Sequence, residues 1–296
     1  MALGGLALVI SAAAFAQQAT RAVRGEYIFR AGVCAGCHTD SKGGGEFLAG
    51  GRPLKTPFGV FYSPNITPDG ETGIGGWSDA DFTRAMTEGV APDGSHYFPV
   101  FPYAAFTGMS AADLGDLKAY LDTVPPVRRP NRAHNVSPPF GWRFMVGMWK
   151  WLFFERGAYR PRGDRSAQWN RGAYLATAMA HCAECHTARN PLGGLVREKL
   201  YAGTEQGPEG QRAPNITPHA ATGIGRWDAD EVAALLKTGL KPDFDDVQGA
   251  MGEAVEQGYK FLTDDDRAAI ATYLMALEPI DNLVPTKGGA PKSGYE

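Results

Sequence analysis

The sequence has four cysteines in 296 residues, a formal charge of only −3, and no apolar run of the roughly 20 residues that a membrane-crossing helix needs. Each shortage removes a class of protein. A net charge of −3 leaves the chain as a whole no basic excess with which to neutralise nucleic-acid phosphate. With 44% hydrophobic and 21% charged residues, neither a disordered chain nor a polytopic membrane protein fits. No apolar–polar alternation runs far enough to forecast a strand, so helices are expected to dominate.

What is present is concentrated in two short motifs. All four cysteines fall in Cys34-Ala35-Gly36-Cys37-His38 and Cys182-Ala183-Glu184-Cys185-His186, leaving none for a disulfide. This is the c-type haem attachment pattern: two thiols spaced to capture two vinyl groups, then a histidine to bind iron. A redox dithiol would need no following histidine, and a zinc site would need four ligands converging from both motifs. Two covalent haem c groups are therefore expected, held by Cys34, Cys37, His38, Cys182, Cys185 and His186.

Residues 2–16 are almost wholly apolar and end Ala14-Phe15-Ala16, which resembles a signal-peptidase site, although no Lys or Arg precedes Arg21. Residues 1–18 are read as a signal peptide or an N-terminal anchor to the inner membrane. Either places the chain in the periplasm.

The chain repeats itself. Asn65-Ile66-Thr67-Pro68 recurs as Asn215-Ile216-Thr217-Pro218, and Thr72-Gly73-Ile74-Gly75 with Trp77 recurs as Thr222-Gly223-Ile224-Gly225 with Trp227. Such self-similarity marks internal duplication. Each half predicts one helix leading into its haem motif, one opened by Ser78 or Asp228 and stopped by Gly89 or Gly239, and a last one behind the caps Ser110 or Thr263. The expected fold is all-α, with units at 19–130 and 167–280, a linker at 131–166 and a flexible tail at 281–296. The sequons at Asn65 and Asn215 read as turns. In the linker, Phe140 to Phe154 is strongly aromatic. It reads as a packing helix in preference to a surface that docks on a membrane or partner.

A haem held by one histidine needs a second axial group for outer-sphere electron transfer, and methionine is the usual one in cytochromes c. In the second half Met251 stands twelve residues after Gly239; the same count from Gly89 reaches Phe101, which cannot bind iron. His96 is the preferred substitute for haem 1, because the repeat gives it no other task. Met109 is the alternative, with a hydrophobic staple as its bland role, and an open iron is the third case.

The two haem motifs, Trp169-Asn170-Arg171-Gly172-Ala173-Tyr174-Leu175 leading to His181-Cys182, the run Cys185-His186-Thr187-Ala188-Arg189-Asn190, the paired Asn-Ile-Thr-Pro loops and the Pro102-Tyr103 after Phe101 carry a resemblance. Together they resemble the cytochrome c subunits of bacterial membrane-bound alcohol, fructose and gluconate dehydrogenases. The resemblance implies two tandem class I cytochrome c domains and no catalytic residues. It implies a periplasmic or membrane-bound dehydrogenase as electron donor, a quinone or another cytochrome as acceptor, and association with the membrane. The third cytochrome domain and C-terminal membrane-binding segment of the three-haem members are not in this sequence. A haem enzyme of peroxidase or thiosulfate-oxidising type is the competing expectation, but it needs a polar distal pocket, and Phe98, Val100 and Phe101 are apolar.

Overall fold

The helices that open at Ser78, Ser110, Ser166, Asp228 and Thr263 each start at a side chain that accepts from a free backbone N–H group. A computed structural model describes the backbone of residues 3–285, with side chains from residue 17 onward. The first half contains α1 (Leu3–Ala31), α2 (Cys34–His38), α3 (Asp79–Glu88), α4 (Tyr103–Phe106) and α5 (Ala111–Leu121). The linker helix α6 (Arg143–Phe153) leads to α7 (Ala167–Tyr174), α8 (Cys182–His186), α9 (Ala229–Thr238), α10 (Gly249–Gln257) and α11 (Asp264–Met275). Capping boxes open α3 (Ser78 with Asp81) and α9 (Asp228 with Glu231), and left-handed Gly89 and Gly239 close them. Ser110 and Thr263 accept from the amides of Asp113 and Asp266 to start α5 and α11. Side chains of residues 1–16 and the tail residues 286–296 lie outside the described residues, so the leader or anchor and most of the expected tail are not described.

The all-α expectation needs one correction. Strands β1 (Pro53–Thr56), β2 (Gly59–Tyr62) and β3 (Asn135–Val136) form an antiparallel sheet in the order β1-β2-β3. Two strands of four residues and one of two are too short to display a period, and β3 joins from the linker.

One apolar core runs through both halves, with Ile28 and Leu117 from the first and Leu175 and Ile270 from the second. In each half the helix before the haem motif packs on the last helix, α1 on α5 and α7 on α11. Arg24 pairs with Asp116 at 2.6 Å, and Arg171 with Asp266 at 2.7 Å. The halves also exchange tyrosines. Tyr27 donates to Asp266 (2.6 Å) and accepts from the amide of Thr263 (3.1 Å). Tyr174 donates to Asp113 and accepts from the amide of Ser110 (2.9 Å). Each half's entry helix thus completes the other half's final-helix cap, giving the junction an approximate twofold character.

This junction titrates. Burial would raise the Asp266 carboxyl, but hydrogen bonds from Arg171 and Tyr27 outweigh it and hold the group below the usual carboxylate range. A lowered folded value means stabilisation that is complete above the unfolded carboxyl's value of about 4 and lost as pH falls through that region. Asp266→Asn is expected to cost about 1 kcal/mol at neutral pH, a figure discounted for screening at the part-exposed Arg171. Denaturant unfolding should show the gap between wild type and variant narrowing as pH falls below about 4, through the lowered folded value; a gap that does not narrow with acid would mean the charge is not what stabilises.

Candidate haem-binding sites

The short helices α2 and α8 each begin at a left-handed residue, Val33 (φ 50°) and His181 (φ 41°), and each carries two cysteines and a histidine. The loop that follows grips the histidine twice. Gly50 N donates to the His38 carbonyl (2.9 Å) and Gly203 N to that of His186 (2.8 Å). His38 Nδ1 lies 2.9 Å from the Pro64 carbonyl and His186 Nδ1 2.8 Å from that of Pro214. Because a carbonyl only accepts, Nδ1 carries the proton and Nε2 is left as the lone-pair donor, as a metal-ligating histidine requires. Burial lowers both pKa values, which favours that neutral imidazole.

These prolines immediately precede the repeated asparagines, which explains the repeated loop. Asn65 and Asn215 are buried. The side-chain oxygen of each accepts from the amide and hydroxyl of the threonine two residues on, and the side-chain nitrogen donates at 2.7 Å to Val127 O or Ile280 O beyond the last helix. They are internal turns that fix the histidine acceptor, not surface sequons.

An apolar cavity beside Cys34 is lined by Phe106, Leu117 and three methionines, Met86, Met109 and Met179. Burial pushes the Cys34, Cys182 and Cys185 thiols up to about 12, marking surroundings poor in water on both motifs. Tyr201 and Tyr259 are buried near Cys182. Apolar walls, paired thiols and an oriented imidazole fit a porphyrin with its iron. Among the described residues no three His, Cys, Asp or Glu side chains gather as a metal-binding group, so the donor set does not suit zinc shared between the motifs.

Of the sixth-ligand candidates, Met109 is brought to the cavity, 3% exposed. His96 is not among the lining residues. A β-bridge to Val90 holds it, its Nδ1 sits 2.9 Å from Lys150 Nζ, and its Nε2 faces Gly147 of α6. The partner that His96 lacks in the repeat is supplied by the linker. Phe101 stacks within an aromatic group with Tyr97, Tyr103 and Phe106. Met251 is half-buried on α10 and packs against the core.

The family model for cytochrome c matches residues 22–125 and 170–278, one attachment motif in each segment. The chain belongs to the cytochrome c family. It is 40% identical to a diheme cytochrome c-type protein of Cereibacter sphaeroides, over 94% of this chain and 98% of the relative. It is 39% identical to the fructose dehydrogenase cytochrome subunit of Gluconobacter japonicus over 86% of this chain, and 36% identical to the gluconate 2-dehydrogenase cytochrome c subunit of Pantoea cypripedii over 92%. The cytochrome spans 52% and 64% of the length of those two subunits.

In this cytochrome the two attachment turns lie back to back. His181, just before the second motif, has Nε2 3.3 Å from the carbonyl of Gly32, just before the first. Arg52 locks the arrangement. Its side chain is 11% exposed, donates to the carbonyl of Gly36 inside the first motif, and pairs with Glu209 (3.0 Å) and Glu253 (2.8 Å) of the second half. Glu253 stands on α10 two residues after Met251, so one guanidinium ties the first attachment turn to the helix carrying the methionine of the second half. Sequence reasoning missed Arg52, whose partners lie 157 and 201 residues away. It also missed the junction tyrosines, although the repeated Arg-Gly-x-Tyr at Arg24 and Arg171 was a usable signal.

Proposed function

We propose that this cytochrome relays electrons through two covalent haems, from a periplasmic or membrane-bound dehydrogenase to a quinone or a downstream carrier. Cys34 with Cys37 and Cys182 with Cys185 would form the thioether links, His38 and His186 would bind the iron of haem 1 and haem 2, and Met109 and Met251 would supply the remaining iron ligand of each. The observation that carries the reading is the back-to-back placement of the attachment turns, with His181 against Gly32 and Arg52 spanning both halves. Bound haem supplies a one-electron iron couple. The chain's own part is to hold each imidazole by a proline carbonyl, to exclude water with an apolar wall, and to keep the two motifs at a fixed separation.

A spectropotentiometric titration of the holoprotein tests this. Two one-electron steps are expected, with both haems low-spin and neither binding carbon monoxide. A high-spin haem that binds carbon monoxide or turns over peroxide would replace the relay with a haem enzyme.

A further inference from the structure

The linker helix α6 is apolar on both sides, and only one side is used. Val146 packs with Phe61 and Phe98, Trp149 Nε1 donates to the Leu192 carbonyl (3.0 Å), and Lys150 Nζ caps the end of α3 at the carbonyls of Glu88 (2.6 Å) and Gly89 (2.9 Å). The expected packing role is therefore real and pins α6 to both halves. The other side presents Phe144 at 71%, Met148 at 52% and Trp151 at 83% exposure, with Leu152 beside them. Trp142, at the N-cap, stacks on Phe144 at 5.7 Å and 19°. A helix apolar all round is normally covered all round.

Charge identifies the cover. Residues 125–166 hold eight arginines and one lysine against one aspartate and one glutamate, a formal +7 in a chain whose total is −3. Arg128 and Arg156 are paired with Glu71 and Glu88 of the first half, which still leaves this segment strongly basic. Exposed tryptophan and phenylalanine on a helix lying along the surface, set in a basic segment, match the chemistry of a helix seated at the boundary of lipid headgroups and acyl chains.

We infer that the outward face of α6 docks the cytochrome on the surface of an anionic lipid bilayer. The inference rests on the relay reading, which gives a membrane-facing side its purpose, and adds the surface that does the seating.

Flotation of the holo full-length chain with vesicles of phosphatidylglycerol and phosphatidylcholine tests it. Wild type is expected to bind, more weakly to phosphatidylcholine alone and more weakly as salt rises. Phe144→Ser with Trp151→Ser should reduce partitioning on the order of a hundredfold, since most of the buried apolar area is removed. The N-terminal apolar run is the same in both proteins, so the difference belongs to α6. Should the double variant not fold, Trp151→Ser alone decides, with partitioning weakened by on the order of tenfold.

Equal partitioning of variant and wild type, or equal binding of wild type to neutral and anionic vesicles, overturns the inference. So does a double variant that binds vesicles normally but no longer accepts electrons from a dehydrogenase, because the face would then seat a protein. Unchanged haem potentials in the same samples keep the relay reading separate from this result.

Discussion

Replacing Met109 with leucine is expected to leave the haem at Cys34 and Cys37 without its sixth ligand, able to bind carbon monoxide, while the haem at Cys182 and Cys185 is unaffected. Leucine keeps the volume of a side chain that is 3% exposed, so the packing cost stays below about 1.5 kcal/mol and the effect reports ligation. Axial ligands move haem potentials over about 0.8 V, and loss of a thioether from one haem is expected to lower its potential by on the order of 0.2 V. Met86 and Met179 line the same cavity, so their leucine variants are the controls. Met109 is favoured over them because it is the methionine between the end of α3 and the start of α5, the stretch corresponding to the one that carries Met251. His96→Gln should leave both potentials in place. If His96→Gln opened the haem and Met109→Leu were silent, the ligand assignment would be reversed. Loss of the methionine-to-iron charge-transfer band is the direct readout.

The expectation for His96 rests on a repeat that gives it no partner, and the structure supplies one. Counting from Gly89 located the loop correctly, and the β-bridge of Val90 with His96 is repeated by Leu240 with Asp246. What the count could not supply was Lys150, 54 residues downstream on a helix of no counterpart in the repeat. Local chemistry was legible: caps at Ser78, Ser110, Asp228 and Thr263 and the attachment motifs are written within a few residues of where they act. Long-range pairings were not, because Arg52 with Glu253 or Tyr27 with Asp266 follows from how two halves seat on each other, which neither half's periodicity encodes. The small sheet escaped for a related reason, since its third strand comes from the linker.

The junction of entry and final helices gives the sharpest contrast between sequence and structure. Gly25 lies inside α1 and Gly172 inside α7, where propensity alone predicts that alanine would stabilise the helix by nearly 1 kcal/mol. The structure predicts the opposite sign. A Cβ on Gly25 would stand 1.9 Å from the carbonyl oxygen of Asp116, and one on Gly172 would stand 1.8 Å from that of Ala269. Both obstacles are backbone of a packed helix, so relief requires moving α5 from α1, or α11 from α7, by more than an ångström. That movement pulls on Arg24 with Asp116 and Arg171 with Asp266, and through Tyr27 on the opposite half. Each Gly→Ala variant is expected to lose more than about 3 kcal/mol, beyond ordinary overpacking, and the valine variants to yield little holoprotein. Gly70, with nothing within 4 Å of its added Cβ, is the control, and its alanine variant should unfold within about 0.5 kcal/mol of wild type. Chemical denaturation of the three alanine variants settles the sign. If Gly25→Ala and Gly172→Ala matched the control, the helices would not cross as closely as described, and the tyrosine exchange that depends on the crossing would fall with it.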